Sequence, residues 1–165
     1  MIWNFVIIGA VVLIFIILVR RIPLAKEMQK KEAPVSREEM TTYGLMAQAD
    51  DAFDRKDFPK AEELYIKVAS QEPNNAKIYS KLGAIYLEQK NYYDAKDAFL
   101  QAVKIEPDNP SRYINLGLAY LGLKDYFKAT QTFEEALKLD PKNKKYQRLS
   151  EKAQRAQEKE KKKLR

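Results

Sequence analysis

The chain has no cysteine and no histidine. Those two absences remove disulfides, thiolate nucleophiles, imidazole bases and the usual zinc ligands together. A lipoprotein anchor, which needs an N-terminal cysteine, goes with them, and the lack of thiols fits a reducing compartment. Glycine is scarce, 5 in 165 residues, and none falls in a phosphate loop (GxxxxGK) or a GxGxxG stretch. The carboxylates that could be called paired, Asp50, Asp51 and Asp54 or Glu62 and Glu63, stand among lysines and arginines and read as solvated surface charge. No catalytic, cofactor-binding or metal-ligating set is expected, and no enzymatic activity.

Charge is also missing from one stretch. Met1–Val19 holds no charged side chain, and Ile2–Val19 is apolar apart from Asn4, with 14 of its 18 residues Ile, Val, Leu or Phe. At ~1.5 Å per residue the run spans roughly 27 Å, close to the hydrocarbon thickness of a bilayer. Inserting those 14 residues is worth on the order of −4 to −8 kcal/mol. A helix buried in a soluble core would not be apolar all round. A cleaved signal peptide wants a basic start and a small-x-small cleavage site, whereas here Arg20-Arg21 follows the run. Residues 1–21 are therefore expected to be a retained transmembrane anchor. From Arg20 to Lys31 there are five basic residues and one acidic, which by the positive-inside rule puts the N-terminus outside and the rest of the chain in the cytoplasm. Trp3 suits the outer interface. The expected setting is a bacterial inner membrane; a mitochondrial outer-membrane protein with an N-terminal anchor would look alike. Gly9 and Ala10 offer a small patch without a GxxxG pattern, so the span is weak as a dimer motif.

Residues 22–35, with Pro23 and Pro34, read as a juxtamembrane tether. Ser36-Arg-Glu-Glu39 has the form of a capping box, so a helix is expected to start near Arg37. From there the chain repeats itself at an offset of 34 residues. Tyr79, Leu82, Gly83 and Tyr86 return as Tyr113, Leu116, Gly117 and Tyr120; Ala95, Phe99, Ala102 and Pro107 return as Ala129, Phe133, Ala136 and Pro141. Apolar residues recur at three- and four-residue spacing, which makes two amphipathic helices per unit. Asn75, Asn109 and Asn143 stand where the first helix of a unit would be capped, and Asp57, Asn91 and Asp125 where the second would be. The small residues Gly83, Gly117, Ala95 and Ala129 mark the closest approach of the paired helices. Pro107 and Pro141 stop the second helix, lacking an amide proton and clashing with the preceding turn.

This order of aromatic-x2-Leu-Gly-x2-Tyr, Ala-x3-Phe and Pro resembles the tetratricopeptide repeat. An earlier unit keeps Ala61, Tyr65, Val68 and Pro73 but has Leu45, Gln48, Ala49 and Ala52 at the aromatic, Leu, Gly and Tyr positions. Within residues 36–143 the expectation is three repeats, about 42–75, 76–109 and 110–143, in an all-α solenoid. Residues 144–165 form a basic capping helix and tail. From Lys142 to Arg165 there are 11 basic and 3 acidic residues against +7 for the whole chain, so the basic balance belongs to this end and not to the repeats. Tyr146 and Leu149 are expected to bury, and the chain after about Glu158 is expected to leave the helix.

The resemblance implies a scaffold that binds a helix or extended segment of another protein in a groove lined by the first helices of the units. Relatives that capture the acidic C-terminus of heat-shock chaperones do so with a carboxylate clamp: Lys and Asn, then Asn, then Lys and Arg on successive first helices. Framed from unit one, those places hold Met46 and Asp50, then Lys81, then Ser111 and Asn115. Framed from unit two they hold Ser80 and Ala84, then a matching Asn115, then Lys145 and Leu149. The clamp is absent. The groove is expected to offer Tyr43, Met46, Lys77, Lys81, Ile114 and Asn115, which suits a segment with apolar side chains and a few acidic ones. The resulting reading is a membrane-tethered adaptor in assembly or quality control. Two other readings are a nucleic-acid or ribosome-docking protein acting through the basic tail, and a structural subunit of a membrane complex. Because the tail is tethered near a bilayer, anionic lipid is a better partner for it than nucleic acid. The ten tyrosines and seven phenylalanines mostly sit at repeat positions and read as core.

Overall fold

The computed structural model describes residues 37–163, which form seven helices: α1 (Arg37–Asp54), α2 (Phe58–Gln71), α3 (Ala76–Glu88), α4 (Tyr92–Ile105), α5 (Pro110–Gly122), α6 (Tyr126–Leu139) and α7 (Lys144–Lys163). The expected anchor and tether, residues 1–35, lie outside the described residues; among those described, no helix is long and apolar enough to cross a membrane. The chain from Thr42 onward is one compact unit. Each helix packs against its neighbours in sequence from α2 to α7, and α3 also touches α5. The result is an all-α solenoid.

Local chemistry sets the helix boundaries at both kinds of turn. Between repeats, the Asn75, Asn109 and Asn143 side chains each accept from the backbone amide two residues on, at Lys77, Ser111 and Lys145, all at 3.1 Å. Their amide nitrogens donate back to Glu72, Glu106 and Asp140 at 2.7, 2.8 and 2.9 Å. One side chain thus starts the next helix and ties off the loop before it. Within repeats, Asp57, Asn91 and Asp125 cap α2, α4 and α6. The residue before each cap is a lysine in the left-handed region: Lys56, Lys90 and Lys124, with φ of 61°, 59° and 60°. Around Lys90 the amide of Lys90 reaches the Leu87 carbonyl at 3.0 Å, and that of Asn91 reaches Tyr86 at 2.8 Å. This is the pattern of a Schellman turn, normally completed by glycine, and it is a device the sequence pattern did not reveal.

The core follows the repeat positions. A Cβ added at Gly83 would lie 2.5 Å from the Phe99 ring, and one at Gly117 would overlap the Phe133 ring. Both phenylalanines are fully buried, so neither ring can move aside. In the first unit Ala49 and Tyr65 hold the equivalent positions in one buried cluster, both without exposed surface. Its departure from the repeat pattern is therefore a change of residues and not a loss of core. Gly122, outside the repeat pattern, is a further close approach, where α5 meets the Tyr92 ring of α4. Polar ties join the units as well. Arg112 on α5 donates to Glu106 at 2.9 Å and to the Ser80 hydroxyl of α3 at 2.9 Å. Tyr86 donates to Glu62 of α2 at 2.8 Å; burial, with that carboxylate beside it, pushes the phenol up to about 12.

Two expectations for the last helix are corrected. Tyr146 and Leu149 are only half-buried, because the residues that turn fully inward are Ser150 and Ala153. The helix also continues past Glu158 to Lys163, where lysines in the last turn complement its dipole.

Replacing Gly117 with Leu is expected to lower the stability of the fragment 36–165 by about 1–3 kcal/mol through overpacking. Ala49→Leu should cost less, since that site already accommodates a Cβ. Thermal or urea melting checks both, and equal losses would place the tight contact elsewhere.

Candidate functional site

The first helices of the units, α1, α3 and α5, together with α7, lie side by side and present one face of the solenoid. Its best-defined feature is centred on Asp50 of α1. The Tyr65 hydroxyl of α2 donates to one Asp50 carboxylate oxygen at 2.6 Å. From α3, the Lys81 ammonium pairs with the carboxylate at 3.0 Å and that of Lys77 stands at 4.0 Å. Lys81 also lies 4.6 Å from the centroid of the Phe53 ring, a cation–π distance. Burial alone would raise the Asp50 pKa, but the hydrogen bonds from Tyr65 and Lys81, with the charges of both lysines, hold it below the usual carboxylate range. The same contact pushes the Tyr65 phenol well above its ordinary value, burial being the larger cause.

The expected groove residues divide accordingly. Lys77 and Lys81 are brought together, but around an aspartate of this chain. Lys81 pairs closely with it at 3.0 Å, whereas the Lys77 side chain is 58% exposed at 4.0 Å, so the single carboxylate offsets one of the two charges. Met46 is half-buried against the first-unit core, Tyr43 is 67% exposed, and Asn115 is half-exposed. Ile114 is corrected: it is only 5% exposed and belongs to the third-unit core with Phe133 and Ala153, where Tyr146 of α7 packs beside it. It contributes no surface. The signal for the Asp50 cluster was present in the sequence as an aspartate at the place of a clamp asparagine. Its consequence needed α1 and α3 to be placed side by side.

What this face can do chemically is hold side chains. Among the described residues no group of three potential ligands could hold a metal ion. The inner positions of α3 and α5 are small or aliphatic, with Ala84 and Leu118 half-exposed, and they are flanked by polar groups such as Ser111 and Asn115.

Residues 52–116 match one family model of the tetratricopeptide repeat and residues 110–143 match a second. No curated relative matches the chain. Among solved structures, the Arabidopsis OM64 TPR domain is similar at 24% identity over 70% of this chain and 96% of that one, with a TM-score of 0.65. The Sgt2 TPR domain from Aspergillus fumigatus is similar at 23% identity over 74% and 82%, with a TM-score of 0.68. The second TPR domain of human RPAP3, solved in complex with the HSP70 peptide SGPTIEEVD, is similar at 22% identity over 70% and 97%, with a TM-score of 0.66. At these identities the likeness establishes the fold alone.

Because its pKa is lowered on folding, Asp50 stabilises the chain above the ordinary carboxylate range, and that stabilisation is lost as pH falls through the lowered value. Asp50→Asn is expected to reduce stability at neutral pH by on the order of 1 kcal/mol, allowing for solvent screening. The gap from the wild type should close on acidification. Urea midpoints across a pH series measure it, and a gap that stays constant with pH would mean that the charge of Asp50 is not the cause.

Proposed function

Across residues 52–143 this chain is a tetratricopeptide-repeat protein, and from that premise we propose that it is a membrane-tethered adaptor holding a helix or extended segment of another protein against its inner face. The observation that carries this reading is the face itself. It presents half-exposed Met46, Ala84 and Leu118 among polar groups, with no described element covering it. The fold it shares with the peptide-bound domain of human RPAP3 supports a protein segment as the occupant. The absent carboxylate clamp argues that side chains, not a terminal carboxylate, anchor that segment.

Tethering rests on the apolar run Ile2–Val19 and the basic residues that follow it. With only residues 22–35 between span and repeats, the face would work close to the lipid, where assembly and quality control of membrane proteins take place. The basic end of α7, Lys159–Lys163, supports a second contact with anionic headgroups, each lysine near such a surface being worth roughly 1 kcal/mol.

Capture from detergent-solubilised membranes tests the adaptor reading. The wild-type chain should retain a protein that Ala84→Arg loses with its circular dichroism intact, and that survives deletion of residues 160–165. Capture unchanged by Ala84→Arg, or lost only with the tail, would contradict it. Protease added to intact spheroplasts should leave the repeats uncut; digestion without permeabilisation would overturn the topology.

A further inference from the structure

The inner face is not uniform in charge, and its gradient runs toward α7. The 34-residue register that places Asp50, Ala84 and Leu118 at equivalent positions continues onto Lys152, and the one that places Phe53, Leu87 and Leu121 continues onto Arg155. The register of Met46, Ser80 and Ile114 continues onto Arg148. Position by position, α7 therefore carries a cation where α3 and α5 carry small or aliphatic residues. Lys159 extends the row by one more turn. Arg148, Lys152, Arg155 and Lys159, with Glu151 and Ala156 among them, line a single depression on α7, as their spacing of four, three and four residues on one helix requires.

Two observations distinguish this row from the lysines of α3. Of the α3 pair, Lys81 is closely matched by Asp50, and Lys77 stands at 4.0 Å from the same carboxylate. On α7 only Arg155 has an acidic partner, Glu151 at 3.4 Å, with both side chains largely exposed. Arg148, Lys152 and Lys159 have no ion pair among the described residues. The packing of α7 also leaves the row uncovered. Tyr146, Leu149 and Ala153 turn toward α5 and α6, Gln154 reaches Glu134 of α6 at 3.3 Å, and no described helix follows to close the opposite side. The half-exposed Leu149 and Ala156 stand beside the cations, so the surface pairs a short apolar edge with unneutralised positive charge.

We propose that α7 is the specificity wall of the groove: Arg148, Lys152, Arg155 and Lys159 select an acidic, amphipathic protein segment and fix the direction in which it lies. This rests on the groove-binding reading above and deepens it. The carboxylates of the segment face α7, and its apolar side chains face Leu118 and the aliphatic positions of α5. The end of the groove at α1 and α3, where Asp50 offsets one of the two lysine charges, takes the less charged part of the segment. A protein segment fits better than a nucleic acid because the inner positions next to the row are aliphatic. Single-stranded nucleic acid is held by aromatic platforms, and Tyr113, Tyr120 and Tyr146 are taken up in helix contacts. Exposed pairs of this kind are screened by salt, so their contribution is chiefly to selection and to the rate of encounter.

The test uses the full chain in nanodiscs of zwitterionic lipid. The probes are a synthetic amphipathic helix with glutamates on its polar face, the same helix with glutamine or lysine there, and single-stranded polyuridine. Vesicles of phosphatidylglycerol serve as a third class. The glutamate helix should bind at least about tenfold more tightly than the glutamine form, with an affinity that falls as salt is raised. R148Q/K152Q should remove that advantage, while Lys77→Gln should leave most of it. Equal binding of the glutamate and glutamine helices, both lost in Ala84→Arg, would overturn the wall and leave the groove standing. Binding indifferent to Ala84→Arg as well would overturn both. Polyuridine or vesicle binding that disappears in R148Q/K152Q, with helix binding unchanged, would assign the row to that other ligand and overturn the proposal.

Discussion

The structure depends on how closely the two helices of a repeat approach. Where Gly83 faces Phe99 and Gly117 faces Phe133, the missing Cβ lets a fully buried ring lie against the backbone of the facing helix. That contact sets the spacing within a pair. The Asn caps and left-handed lysines then fix how the chain enters and leaves each helix. With pair geometry and turn geometry repeated every 34 residues, the first helices must fall side by side. The inner face is a consequence of that packing and needs no contacts of its own to exist.

Since packing alone determines the face, its side chains are free to differ from unit to unit, and they do. At α1 and α3 an aspartate faces two lysines, pairs closely with Lys81, and Lys81 lies over an aromatic ring. At α5 the corresponding places are neutral. At α7 they are basic and mostly unpaired. Electrostatic character thus changes along a solenoid whose backbone does not. This is how a repeated scaffold reaches selectivity without a dedicated pocket.

Much of the fold was legible because the repeat constrains residues through backbone sterics. Gly83 with Phe99, the three asparagine caps and Pro107 are each required by local geometry, so their spacing reports the structure directly. The first unit was legible in its second helix and obscure in its first, because Ala49 and Tyr65 solve the same packing problem with different residues. The candidate site was legible only in part. The sequence pointed to Lys77 and Lys81 as positions on the right face, but their pairing with Asp50 depends on contacts between α1 and α3 that no spacing within one helix reports. Ile114 was misplaced for a related reason: its position is only half-buried at Met46 of α1 but closed in α5, where Tyr146 of the next helix packs beside it. Lys56, Lys90 and Lys124 gave no sign of a left-handed turn, since lysine is a good helix former and glycine is the residue expected there.

Site-specific photocrosslinking in native membranes tests the central claim most directly. A photoreactive residue at position 118 or 152, on the inner face, is compared with one at position 66 or 100, on the exposed outer surface of α2 and α4. The inner positions are expected to crosslink to one acidic segment of one protein, and the outer positions are not. Crosslinks to that protein from positions 66 and 100 alone, or inner-face crosslinks to lipid or RNA in place of protein, would contradict that claim.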